Sequence, residues 1–150
     1  MGYIRTLRAL SATDRRTVLL AIVLLPLTRV SLRFLPVSSV KRALSHAASA
    51  LVNRTATDDA VQRVPWAVTT AGRHVPGGRH CLTKALVAKA LLDAKGIPVR
   101  LRVGIRRGPD GTLQGHAWLD RDGSLVMDAG EDPASFLPLS ALQEAIDERR

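Results

Sequence analysis

The sequence predicts an α+β fold: a helical first half packed on a core of one further helix and an antiparallel sheet. Three observations carry this. Apolar residues keep helical spacing, with capping signals, from Ser11 through Leu51. A run of strong helix formers, Cys81 to Lys95, comes directly after the loop Pro76-Gly77-Gly78. Beyond it, period-two alternation and Gly-containing turns mark strands. The 150 residues suit one domain, with 1–75 mainly helical and 76–150 the core that bears the chemistry.

Taken in order, Ser11 can cap a helix, with Asp14 three residues on favouring the positive end of the dipole; the apolar run after it is expected to end at Pro26. A second helix starts at Ser38 or Ser39, its apolar positions Val40, Leu44, Ala47, Ala48 and Leu51 lying on one face. Thr57, ahead of Asp58-Asp59, is another capping signal, and Pro65 disturbs the helical pattern beyond it. The helix from Cys81 runs to Lys95, with Gly96 placed to end it. Val99, Leu101, Val103 and Ile105 alternate with Arg100, Arg102 and Gly104 as in a half-buried strand. Gly108-Pro109-Asp110-Gly111 is a turn. Residues 114–120 and 124–128 read as two strands across Arg121-Asp122-Gly123. A Pro-rich connection (Pro133, Pro138) leads to a short amphipathic helix from Leu139 to about Glu148.

Composition narrows the function. The net charge of +9, from 22 basic and 13 acidic residues, favours anionic contacts. The basic residues are scattered and aromatics are only 3%, which argues against nucleic acid. The run VLLAIVLLPL, Val18 to Leu27, is too short to cross a bilayer core of roughly 30 Å. No small-residue cleavage site comes after it, so a buried helix is expected rather than membrane insertion. A single cysteine excludes an internal disulfide, and a cytoplasmic setting is expected. The four histidines show no metal-ligand spacing.

Cys81 is the residue around which chemistry can be built. It opens its helix just after a Gly-Gly loop, where unpaired N–H groups and the dipole favour a thiolate and could hold an oxyanion; Arg79 and His80 add positive charge. A thiol nucleophile needs a base, and the base an orienting group. His116, in the segment GHAWLD, can be the base. A three-residue loop at Arg121-Asp122-Gly123 would pair Leu119 with Leu125, Ala117 with Met127 and His116 with Asp128, giving one apolar face of Ala117, Leu119, Leu125 and Met127. A two-residue loop at Asp122-Gly123 would mix the faces. Of the acidic residues near the histidine (Asp120, Asp122, Asp128 and Glu131), Asp128 is the one expected to face it.

The stretch CLTKALVAKALLDAKGIPVRLRVGI, with GHAWLDRDGSLVMD after it, resembles the transglutaminase-like cysteine peptidases of lasso-peptide biosynthesis, the leader peptidases that form the protease component of the B proteins. The resemblance is strong over residues 80–128 and looser over the helical half. It implies a Cys-His-Asp triad of Cys81, His116 and Asp128 and removal of the leader from a lasso precursor peptide. It further implies a stand-alone subunit working with a separate leader-recognition protein and with the lasso cyclase. No metal or organic cofactor is needed for such chemistry, and nucleotide use would belong to a partner, since no Gly-rich phosphate loop is present. Three other readings stay open: a different transglutaminase-like peptidase or acyltransferase, a non-catalytic basic interaction module, and a membrane-surface protein.

Overall fold

A computed structural model describes residues 10–54, 56–76, 80–128 and 132–140. Helix α1 spans Ala12–Phe34, α2 Val37–Leu51, α3 Ala60–Gly72 and α4 Cys81–Ala94. Strands β1 (Arg100–Arg107), β2 (Leu113–Arg121), β3 (Ser124–Met127) and β4 (Leu137–Pro138) come next, with a 3₁₀ turn at Pro133–Ser135 ahead of β4. The fold is α+β, four helices before one antiparallel sheet.

Ser11 caps α1 as its sequence predicts: its hydroxyl oxygen accepts from the Asp14 N–H at 3.1 Å and its O–H donates to the Asp14 carboxylate at 2.7 Å. Pro26 does not end the helix, which continues for two more turns. A proline costs a helix interior about 3 kcal/mol. Ala21, Leu24, Leu25 and Thr28 form one continuous buried face across it, and that burial offsets the lost hydrogen bond. Pro65 is likewise accommodated, itself buried inside α3. The cap of α3 is Asp59 rather than Thr57, and α2 begins after Pro36, ahead of the expected serines. On α2, Val40, Leu44 and Ala48 are buried while Leu51 is exposed.

Helix α4 is the hub, touching α1, α2 and α3 on one side and β1 and β2 on the other. One hydrophobic cluster runs from Ala21 through Leu44, Val64 and Leu91 to Leu119 and Met127. Gly96, at φ 83°, ends the helix in the left-handed conformation that glycine adopts at little cost.

The sheet order is β3-β2-β1-β4. The tip of the β2–β3 hairpin differs from expectation. Arg121 pairs with Ser124, so the loop has two residues, Asp122 (φ 51°) and Gly123 (φ 81°), both left-handed as a type I′ turn requires. Asp120 then faces Leu125, but Leu119 faces Met127, so Val126 is an extra, bulged residue. The bulge resolves the conflict that argued against a two-residue loop. It re-phases β3 so that Met127 turns inward beside Ala117 and Leu119, whereas Leu125 is 53% exposed instead of joining that face. Strand β4 was not foreseen: the Pro-rich tail returns to pair Gly104 with Pro138 and Ile105 with Leu137. The helix expected from Leu139 to Glu148 lies almost entirely outside the described residues, as do Gly77, Gly78, Arg79 and Glu131.

Candidate active site

Cys81 is the first residue of α4, a free and half-buried thiol. His80 takes the N-cap position in an extended conformation and offers no side-chain hydrogen bond; the first turn carries no acidic residue. The positive end of the helix is therefore not neutralised by its own side chains, a setting that complements an anion at the thiol or beside it.

His116 lies in the middle of β2 and is 4% exposed. Alternation along the strand puts it on one face with Trp118, while Ala117 and Leu119 join the core on the other. Its imidazole stacks on Phe136, 4.8 Å between centroids, and more distantly on Trp118 at 5.9 Å. Gly104, directly across on β1, makes room for this arrangement. A Cβ there would stand 3.0 Å from the Phe136 Cβ and 3.1 Å from the Trp118 ring. Arg106 covers Phe136 at 4.5 Å and donates to Gln114 and Ser135, which fixes the ring against the histidine.

The histidine's Nε2 is buried and makes no hydrogen bond. The Asp128 carboxylate stands 4.0 Å away, about one ångström beyond hydrogen-bond length. Catalytic pairs are often this loose before substrate binds. The two residues come together by a route different from the one expected. With the bulge at Val126, the pairing of Leu119 with Met127 carries Asp128 to the level of Trp118, so it reaches His116 diagonally rather than from directly opposite. The other described carboxylates are engaged elsewhere. Asp120 pairs with Arg102 at 3.4 Å, and Asp122 projects from the turn with its side chain 92% exposed.

Sequence reasoning passed over Lys84. It lies one turn after Cys81 on α4 and is only 9% exposed. Burial pushes its ammonium below the usual lysine range, and the negative charges available at Cys81 and Asp128 oppose that shift. One buried cation thus senses both the thiol and the carboxylate. The signal was present in the spacing, because i and i+3 share a helix face, but a lysine in an amphipathic pattern is ordinarily a solvated residue. Asp128 also borders a cleft of about 270 Å³ between α3 and β3, whose walls include Trp66, Thr69 and Arg73.

Within this frame the structure brings His116 and Asp128 to within 4.0 Å and sets Cys81 at the first turn of α4, one turn before the buried Lys84. No curated protein and no solved structure matches the chain. A family model described as the transglutaminase-like superfamily matches residues 21–141, taking in α1 from its middle as well as the sheet. That superfamily consists generally of cysteine-based enzymes and includes peptidases and acyltransferases. The chain belongs to the transglutaminase-like superfamily.

Proposed function

We propose that the protein is a cysteine peptidase that removes the leader from a lasso-peptide precursor through Cys81, His116 and Asp128. The observation that carries the catalytic part is the buried His116 Nε2 with the Asp128 carboxylate 4.0 Å from it. The lasso assignment rests on the resemblance over residues 80–128.

With Nε2 turned to Asp128, the imidazole uses Nδ1 as its base. It takes the Cys81 proton as sulfur attacks the scissile carbonyl of the precursor. The Cys81 N–H, at the open end of α4, stabilises the tetrahedral oxyanion. The imidazolium, held by Asp128, then protonates the leaving amine, which departs as the N-terminus of the core peptide. The leader remains as a thioester on Cys81. Water, deprotonated by the same imidazole, hydrolyses that thioester and releases the leader carboxylate. A separate leader-recognition protein delivers the precursor, and a cyclase uses the freed core amine. The setting is cytoplasmic.

The test is precursor cleavage read by mass spectrometry. Cys81→Ala should abolish leader removal while leaving the thermal unfolding curve in place. Full cleavage by that variant would sink the peptidase reading. Cysteine-dependent acyl transfer to an added amine, without hydrolysis, would favour an acyltransferase instead.

A further inference from the structure

We propose that the outward face of α1 docks on an anionic lipid surface, the helix lying in the plane of the interface. Leu19, Val23, Leu27, Val30 and Phe34 are 51%, 56%, 59%, 57% and 80% exposed. Their steps of four, four, three and four residues put them within an arc of roughly 80° and along roughly 23 Å of helix. Isolated exposed apolar residues are ordinary on a protein surface, whereas a contiguous row needs an occupant. Leu35 and Val37 extend the row past the end of the helix, 50% and 43% exposed.

Charge identifies the occupant. Exposed Arg15, Arg29 and Arg33 lie along one side of the row by the same helical geometry. Exposed Arg16 stands at the N-terminal end of the row, one turn before Leu19, beside a cleft of about 220 Å³. From Arg15 to Thr57 the sequence holds seven basic residues and no Asp or Glu. An apolar stripe rimmed by cations, with no acid across forty-odd residues, matches acyl chains beneath anionic headgroups.

The helix does not span. It is 23 residues long, enough by length and composition to cross a membrane, so it exceeds what the ten-residue run Val18–Leu27 suggests. Its opposite face, however, with Ala21, Leu24, Leu25 and Thr28, is part of the core beneath α2, α3 and α4. Insertion would strip that face from its partners, whereas docking in the interface leaves it in place.

The experiment is co-sedimentation of the full chain with vesicles, phosphatidylcholine alone against phosphatidylcholine mixed with phosphatidylglycerol. Binding should be roughly tenfold or more tighter on the mixed vesicles and weaken with added salt. Leu27→Gln with Val30→Gln should lower it by a further factor of roughly ten or more, because both side chains leave the acyl region. Arg29→Gln with Arg33→Gln should erase the preference for the anionic vesicles. Both pairs are exposed, so the unfolding temperature should stay put and serves as the folding control. Equal, negligible sedimentation with both vesicle types would overturn the proposal. So would a dimer in light scattering that the Leu27/Val30 variant dissolves, since the row would then be an interface between copies. Resistance to alkaline carbonate extraction would replace docking with insertion.

Discussion

Helices α1 and α4 are both rich in Leu, Val and Ala, yet the fold uses them in opposite ways. Ten of the fourteen residues of α4 are buried, against seven of the 23 in α1. Along its body α4 is exposed only in part, at the Lys89–Asp93 ion pair, and it opens again at its first turn, which carries Cys81. Helix α1 is closed along one face and open along the other for its whole length. Hydrophobicity alone did not distinguish them; the number of neighbours did. One helix is covered along most of its length, and the other keeps an exposed side from end to end.

The contrast predicts where substitutions act. Around the tip of α4, Asp128→Asn should lower cleavage by orders of magnitude while stability holds, since an amide cannot orient and balance the imidazolium. Asp120→Asn, which breaks only the pair with Arg102, should have a much smaller effect on rate. Rates in the reverse order would displace Asp128 from the site. In the body of α4, Leu91→Ala should destabilise by about 2–5 kcal/mol because Leu91 is fully buried. The same change at Leu27 on the open face of α1 should stay within about 0.5 kcal/mol. Denaturant midpoints compare the two, and similar losses would mean that the face of α1 is covered.

The smallest expected effect concerns the start of α1. Burial pushes the Asp14 carboxyl up, but hydrogen bonds from Ser11 and Arg63, with the charges of Arg63 and Lys95, outweigh it and hold the group below its ordinary 3.8. The folded value is the lower one, so the stabilisation is present above pH 3.8 and fades as pH falls below it. Wild type and Asp14→Asn should therefore differ in unfolding midpoint at neutral pH and converge in acid. A gap that persists in acid would assign the effect to packing instead of charge.

The elements that carry the candidate residues were legible because they depend on local patterns. Gly-Gly ahead of a helix former places Cys81 at a helix start, and period-two alternation puts His116 on one strand and Asp128 just past the end of its neighbour. The faults arose where tertiary context overrides local preference. Pro26 and Pro65 lie within helices whose buried faces continue across them. Asp122-Gly123 has the composition of a two-residue turn, but accepting it required the bulge at Val126, which alternation alone does not reveal. Strand β4 holds two residues, one of them proline, too little pattern to read. The burial of Lys84 was not legible because it depends on tertiary packing around α4 rather than on local pattern.

The tail has a kinetic meaning. Phe136, which presses on His116, belongs to a stretch that returns to the sheet through the Gly104–Pro138 and Ile105–Leu137 pairings and through Arg106, which meets Ser135 and Phe136. The hairpin of β1 and β2 can close locally, whereas this return joins positions more than thirty residues apart and carries a larger loop-closure entropy. The imidazole's apolar seat is thus completed by a late event in folding. Until the tail docks, the His116 ring lacks the Phe136 contact that covers one of its faces.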